Sequence, residues 1–240
     1  PNQEDRIKVL KDSMKGDKGY ITSCGPTLLD NDMDKLKGEL SKYPCMAIKQ
    51  SYTIFEDLVD VHVYNCANLK RYEYKGILRP LVVEASTTPQ PLGPCDLKFF
   101  IQERNFTKSV SLLHNFDDWT LDKSTNLRPY GPGIMTEIVI YLIEHLGFAE
   151  VVTVGWDNKI VGKEVNQEQH FYTQGPLKEQ KFIDQNDTLS IVPAKEIKEE
   201  EKISCEGVAS WNKWLKGKGC TLKICSAINP VDKSIERVKI

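Results

Sequence analysis

Short apolar segments alternate with helical patterns along most of this chain. The strand-like segments include GYITSC (19–24), VDVHVYN (59–65) and EVVTVGWDN (150–158), and the last of these is apolar almost throughout. A nearly continuous apolar strand is typical of the centre of a parallel sheet, because both of its faces are covered. Alternating strands and helices therefore predict an α/β fold with a mostly parallel sheet flanked by helices.

The remaining elements follow the same pattern. Further strands are predicted at CMAIKQ (45–50), RPLVVEAS (79–86), DLKFFIQE (96–103) and CTLKICSA (220–227). Apolar residues at helical spacing predict helices at 3–14, 33–43, 51–58, 131–148 and 207–219. The weakly patterned stretch 104–130 indicates loops and short helices. Residues 158–204 are polar and rich in Lys and Glu, so we expect a lid-like excursion from a single domain spanning 1–240.

Composition excludes several classes of protein. The net charge of -2 and the pI near 6.2 give no general attraction to nucleic acid or to an anionic membrane. No apolar run approaches the roughly 20 residues of a transmembrane helix, and the N-terminal segment lacks the apolar core of a signal peptide. The seven cysteines contain no C-x-x-C pair, which predicts neither a zinc site nor a disulfide framework. We therefore expect a cytoplasmic protein, either free or peripheral at the inner face of the membrane.

The carboxyl ends of the strands are the places where a parallel sheet usually binds its ligand. The first predicted strand runs into Gly25-Pro26-Thr27 and then into a helix start, where free backbone N–H groups and the hydroxyl of Thr27 suit a phosphate. A tight turn that needs Gly and Pro for its geometry alone is an equally good interpretation. The same rule makes Gln50 and Ser226 candidates, because each follows a predicted strand.

Two other segments contribute candidates. The turn Gly131-Pro132-Gly133 precedes the most apolar helix, and it suits either a nucleotide pocket or a simple junction between loop and helix. His170 lies in the polar excursion, where it is either a general base near neutral pH or a solvent-facing loop residue. The sequence has no dinucleotide or P-loop glycine pattern, no nucleophile elbow and no D-x-D pair at a strand end. These absences give no support to a P-loop enzyme, a serine hydrolase or a metal-dependent sugar transferase.

The order of these motifs resembles the small bacterial sialyltransferases of glycosyltransferase family 42. It also resembles a neighbouring group of proteins related to 6-hydroxymethylpterin pyrophosphokinase. The motifs that carry the resemblance are GPTL (25–28), VYNCAN (63–68), the turn 131–133, GWDN (155–158) and His170. Lys49 stands where the family has an asparagine, and Gly-Pro replaces a Thr-Ser pair in the second turn.

The resemblance implies a Rossmann-like domain that transfers a sugar from a CMP-type nucleotide donor to a glycan acceptor, with no metal and no cofactor. It makes His170 the general base and Tyr172 a hydrogen-bond donor to the leaving phosphate. The expected nucleotide contacts and pocket-lining residues are Gly25, Pro26, Thr27, Lys49, Asn65, Gly131, Gly133, Gly155 and Asp157. The alternatives are a pyrophosphokinase-like enzyme with magnesium at Asp157, and a non-catalytic protein that binds a nucleotide or a glycan. A monomer and an oligomer are both compatible with the sequence.

Overall fold

A parallel sheet of nine strands organises the molecule. The structure is a computed structural model, and it describes residues 2–65, 72, 74, 79–86, 90, 91, 93–102, 127–129, 134–157 and 194–240. The strands are β1 (Lys18–Thr22), β2 (Cys45–Ile48), β3 (Val61–Asn65), β4 (Leu81–Ser86), β5 (Leu97–Gln102), β6 (Leu127–Pro129), β7 (Glu150–Val154), β8 (Thr221–Cys225) and β9 (Glu236–Arg237). Every pair of neighbouring strands is parallel, which confirms the Rossmann-like α/β fold class.

Helices and helical turns connect the strands. The helices are α1 (Gln3–Leu10), α2 (Met33–Leu40), α3 (Tyr52–Phe55), α4 (Ile140–Leu146) and α5 (Ala194–Gly217). Tight 3-10 turns occupy Pro26–Asp30, Lys49–Ser51 and Glu56–Leu58, and a wider π-helical turn, Met135–Val139, leads into α4. Gly147 ends α4 with a left-handed backbone, as glycine commonly does after a helix. Among the described residues, no helix has both the length and the apolar character needed to cross a bilayer.

Two predictions from the sequence analysis were wrong. The helix predicted at 207–219 begins earlier, because α5 starts at Ala194, within the predicted excursion 158–204. The Lys/Glu-rich run AKEIKEEEK (194–202) predicted a solvated segment, but Lys and Glu are also good helix formers and can pair along a helix. Strand β6 lies within the stretch 104–130, for which only loops and short helices were expected. It has only three residues, too few for a clear alternating pattern.

Apolar side chains cover both faces of the sheet. On one face, Val63, Val83 and Phe99 belong to a core cluster that includes buried residues of α4. On the other face, Ala47 and Val154 belong to a second cluster that includes buried residues of α2. The sheet is therefore the middle of three layers, as expected for strands that are apolar on both sides.

The direction of the chain reverses beside β1. The strand order is β6-β5-β4-β3-β2-β1-β7-β8-β9, so the chain first builds the sheet outward from β1 to β6. It then returns to place β7 on the other side of β1. After β1 the chain continues toward β2 on one side, and after β7 it continues toward β8 on the other side. The carboxyl ends of these two strands are therefore the topological switch point, where open α/β sheets usually bind ligands.

Candidate functional site at the carboxyl ends of the strands

The carboxylate of Asp157 joins the loops that follow β1, β7 and β8. Asp157 is only 3% exposed, and its Oδ2 accepts a hydrogen bond from the Thr27 backbone N–H at 3.0 Å. Its Oδ1 accepts from the Thr27 hydroxyl and from the Ser226 hydroxyl, the latter at 2.7 Å. We call Thr27, Asp157 and Ser226 the Asp157 corner. Its buried charge is satisfied by donors from two other loops, which stabilises a buried carboxylate.

Glycines make this corner possible. A Cβ at position 25 would overlap the Asp157 carboxylate and the Gly155 carbonyl oxygen, and Gly155 itself has a left-handed backbone with φ +70. The Gly25 N–H donates to the Gly155 carbonyl at 2.7 Å. The turn interpretation of Gly25-Pro26-Thr27 therefore has a physical basis. The Thr27 donors that were expected to face a phosphate are directed at Asp157, so an incoming phosphate would have to compete with that carboxylate.

A second corner follows β2 and consists of Lys49 and Gln50. Lys49 has φ +50, a left-handed backbone that costs a non-glycine residue about 1–2 kcal/mol. Ser51 stabilises the turn, because its hydroxyl accepts from the Ile48 N–H at 3.0 Å and donates to the Thr22 carbonyl at 2.8 Å. Strained backbone of this kind tends to occur at functional sites, where the surrounding structure holds it in place. We call this the Lys49–Gln50 corner.

Unpaired polar atoms distinguish the Lys49–Gln50 corner. Gln50 is 2% exposed, yet among the described residues its Nε2 has no hydrogen-bond partner, and neither has the buried hydroxyl of Ser23. The Oε1 of Gln50 accepts from the Cys24 thiol at 3.6 Å. An unsatisfied buried donor costs about 1–3 kcal/mol, and native proteins rarely contain one without a reason. A ligand that brings acceptor oxygens to this corner would remove that cost.

The positive charge of Lys49 acts on the Cys24 thiol, which contacts Gln50. Burial raises the pKa of the Cys24 thiol to about 11, and the positive charge of Lys49 opposes that rise. Lys49 forms no salt bridge within the described part of the chain. The same turn therefore contains a cationic residue and a buried amide donor that has no partner among the described residues, a combination that suits an anionic ligand rich in acceptor oxygens.

A buried histidine supports this corner from β3. His62 is 0% exposed, its Nε2 lies 3.0 Å from the Lys49 carbonyl oxygen, and its Nδ1 lies 2.7 Å from the Tyr74 hydroxyl. Burial lowers the pKa of His62 to about 3. The imidazole is therefore neutral at ordinary pH, with one nitrogen that donates and one that accepts.

The structure brings together some of the predicted site residues and not others. Gly25, Thr27, Gly155 and Asp157 meet at the switch point, and Lys49 lies at the end of the neighbouring strand β2. Pro26 begins the 3-10 turn after Gly25, and Asn65 ends β3, two strands from β1. Gly131, Gly133, His170 and Tyr172 lie outside the described residues. Their roles stay predictions.

Sequence reasoning missed Ser23 and His62. Ser23 lies inside an apolar segment, and His62 occupies a strand position where packing was the ordinary expectation. Gln50 and Ser226 were marked by the strand-end rule, but their sequence context gives them no particular role. The distinguishing signal is the presence or absence of a partner for each buried polar atom, and partners distant in sequence are visible only in the folded chain.

Comparisons with known proteins do not assign a family. No protein-family model matches the chain, and the search of curated proteins finds no significant match. Within the described residues, no group of three or more His, Cys, Asp or Glu side chains is arranged to hold a metal ion. The resemblance to family 42 sialyltransferases stays a prediction from short motifs.

Proposed function

We propose that the protein is a glycosyltransferase that binds a nucleotide-activated sugar at the Lys49–Gln50 corner. The observation that carries this proposal is the buried Nε2 of Gln50, which has no partner among the described residues, in a turn that also contains the cationic Lys49. A nucleotide sugar supplies what these groups lack, because it combines anionic phosphate with many acceptor oxygens. The position next to the β1/β7 switch point also favours a nucleotide ligand. The choice of a CMP-type donor, as in sialyltransferases, rests on the motif resemblance.

The proposed reaction is a direct transfer of the sugar. The oxygen of an acceptor hydroxyl attacks the anomeric carbon, while the bond between that carbon and the phosphate oxygen breaks. His170 takes the hydroxyl proton as general base. The bonding electron pair leaves with CMP, whose new charge is stabilised by a hydrogen bond from the Tyr172 hydroxyl. No metal or cofactor is part of this proposal, and the cytoplasm is its proposed location.

A pyrophosphokinase-like reaction is the alternative that the motif resemblance also suggested. It needs carboxylates that hold magnesium against the phosphates of ATP. Asp157 was the expected carboxylate, but its oxygens already accept hydrogen bonds from Thr27 and Ser226. Magnesium at Asp157 would have to share or displace these bonds, so the geometry favours the transferase proposal.

Ligand binding by the full chain tests the proposed site. We expect CMP, in a thermal-shift series with UDP, GDP and ATP with and without magnesium, to stabilise the fold. A ligand at about 100 times its dissociation constant adds roughly 2.7 kcal/mol. Lys49→Met and Gln50→Leu should abolish the shift, while Lys37→Met, at an exposed position of α2, should retain it. Absence of a shift with every nucleotide would contradict the proposal.

Turnover then separates the candidate activities. Release of CMP from a CMP-sugar, lost in His170→Ala with CMP binding intact, would support the transferase. Binding of CMP without donor turnover at high protein concentration would instead indicate a non-catalytic binding protein. Magnesium-dependent release of AMP from ATP with a hydroxymethylpterin would indicate the pyrophosphokinase.

A further inference from the structure

A chain of three polar groups lies behind the Lys49–Gln50 corner. The Tyr74 hydroxyl lies 2.7 Å from Nδ1 of His62, and Nε2 of the same ring lies 3.0 Å from the Lys49 carbonyl oxygen. We call these three groups the Tyr74–His62–Lys49 relay. It connects the interior of the molecule, where His62 is 0% exposed, with the left-handed residue at the end of β2.

The direction of each hydrogen bond in the relay follows from its ends. The Lys49 carbonyl can only accept, so Nε2 of the neutral His62 carries the proton and donates to it. Nδ1 is then the acceptor, and the Tyr74 hydroxyl donates to it. The two bonds favour the same tautomer: the Lys49 carbonyl requires a proton on Nε2, and the Tyr74 hydroxyl, by donating to Nδ1, disfavours a proton there.

The Lys49 carbonyl is part of a peptide group that no longer belongs to the sheet. Strand β2 ends at Ile48, and the Lys49 carbonyl accepts from the Tyr52 N–H of the following turn as well as from His62. The peptide between Lys49 and Gln50 determines where the ammonium and the amide on either side of it lie. A donor that holds this peptide therefore also fixes the points at which the two side chains leave the backbone.

We propose that His62 is a positioning residue for the nucleotide site, acting through the Lys49 carbonyl, and that Tyr74 keeps its imidazole in the required tautomer. His62 does not touch the ligand in this proposal. It holds the left-handed turn of Lys49, so that the ammonium and the Gln50 amide are in place before the ligand arrives. Such preorganisation improves affinity by lowering the cost of ordering the site. The inference rests on the proposed function.

A purely structural role for His62 is the competing explanation. Its ring stacks on Tyr52 with centroids 4.5 Å apart and meets the edge of Tyr72 at 4.5 Å. Loss of the ring would weaken this aromatic cluster whatever the imidazole N–H does. A useful test must therefore remove the ring in both variants and keep the N–H donor in only one.

The variants His62→Gln and His62→Asn form such a pair. The Nε2 of glutamine reaches about as far along the side chain as the Nε2 of histidine, so it can donate to the Lys49 carbonyl. Asparagine places its polar atoms near the position of Nδ1, so it can accept from Tyr74 but does not reach Lys49. We expect His62→Asn to weaken CMP binding, measured calorimetrically on the full chain, by about 10-fold, the size of one lost hydrogen bond. His62→Gln should stay within roughly 3-fold of the unsubstituted protein.

A ligand-free measurement accompanies the binding experiment. In 1H–15N spectra of the free protein, His62→Asn should shift the Lys49 and Gln50 amide resonances, including the side-chain amide of Gln50, and His62→Gln should largely restore them. Equal loss of CMP affinity in both variants, or unchanged affinity in His62→Asn, overturns the inference while the proposed function stands. If the unsubstituted protein binds no nucleotide, the proposed function fails. The free-protein spectra then decide whether His62 holds the corner, and unshifted resonances in His62→Asn overturn that as well.

Tyr74→Phe covers the case in which the His62 variants do not fold. It keeps the aromatic ring and removes only the hydroxyl. We expect imidazole 15N shifts that report Nε2–H in the unsubstituted protein and a mixture of the two tautomers in Tyr74→Phe. CMP affinity should fall in parallel, by about 2-fold if half of the molecules have the wrong tautomer and do not bind. An unchanged tautomer in Tyr74→Phe would overturn the role of the relay.

Discussion

The Asp157 corner and the Lys49–Gln50 corner lie on the same edge of the sheet, but they treat buried polar atoms in opposite ways. Asp157 and Gln50 are exposed to almost the same extent, 3% and 2%. The carboxylate of Asp157 accepts from Thr27 and Ser226, whereas Nε2 of Gln50 has no partner in the part of the chain that the structure describes. Burial alone therefore does not separate a structural polar residue from a binding one; the partners do.

The difference has an energetic meaning. A buried hydrogen-bonded carboxylate holds loops together that are distant in sequence. Its removal leaves buried donors without an acceptor and lowers the free energy of unfolding substantially. An unpaired buried amide and a left-handed Lys49 cost stability in the free protein. The first corner should therefore control stability, and the second should control ligand affinity.

The largest effect is expected at the Asp157 corner. Asp157→Ala should lower the free energy of unfolding by about 3 kcal/mol, because the Thr27 and Ser226 donors lose a charged acceptor inside the protein. Urea denaturation measures this loss. Asp232→Ala is the matched control, since Asp232 also accepts from an N–H and a hydroxyl, both of Ser234, and from the Asn212 side chain, but it is only half-buried. Asp232→Ala should lower the free energy of unfolding by less than about 1 kcal/mol. Equal losses in the two variants would contradict the special role of the Asp157 corner in stability.

A pH effect of about 2 kcal/mol is expected from the support of the Lys49–Gln50 corner. The pKa of His62 is lowered by burial from 6.5 to about 3. The unfolded chain therefore binds a proton between these values that the folded chain does not bind. Stability from this residue is present above about pH 6.5 and falls as the pH decreases through this range, by about 2 kcal/mol between about pH 7.5 and about pH 5. Urea denaturation at several pH values, with His62→Gln as the reference that lacks this titration, measures the contribution; parallel curves for the two proteins would contradict it.

A change of opposite sign is expected at Gln50. Gln50→Leu replaces an unpaired buried donor by an apolar side chain of similar size, so the free energy of unfolding should rise by about 1 kcal/mol. Ser51→Ala is the matched neighbour, because the Ser51 hydroxyl is fully engaged with Ile48 and Thr22. The free energy of unfolding of Ser51→Ala should be lower by about 1–2 kcal/mol. Thermal and urea unfolding would measure the expected gain in Gln50→Leu and the expected loss in Ser51→Ala. A loss of stability in Gln50→Leu would mean that Nε2 of Gln50 has a structural partner.

The smallest effect is expected from the backbone of Lys49. Lys49→Gly should be more stable than Lys49→Ala by about 1 kcal/mol, since only glycine adopts the left-handed backbone without strain. Both variants lack the ammonium, so both should lose nucleotide affinity. Asp12 provides the control with φ 57, close to that of Lys49. Asp12→Gly and Asp12→Ala should show the same stability difference in urea denaturation and leave CMP binding unchanged; no difference at Lys49 would mean that this residue bears no strain.

The sequence predicts the sheet well and the corners only in part. Strands and strand ends follow from local apolar patterns, so the edge that contains Thr27, Lys49 and Asp157 is predictable. The pairing of Thr27 with Asp157 links residues 130 positions apart, and no local pattern reports it. A phosphate and a carboxylate can accept hydrogen bonds from the same backbone N–H groups. The Gly-Pro-Thr turn therefore predicted a bound phosphate, whereas in the structure the acceptor is the Asp157 carboxylate of the protein itself.

The reversal of the chain beside β1 also affects how this protein is made. β1 pairs with β2 on one side and with β7 on the other. Synthesis begins at the N-terminus, so β7 leaves the ribosome only after β2 to β6 have been made. Until then, one border of β1 offers unpaired backbone groups that a strand from another molecule can join. We therefore expect the nascent chain to depend on chaperones or rapid translation more than a protein whose central strand is completed early.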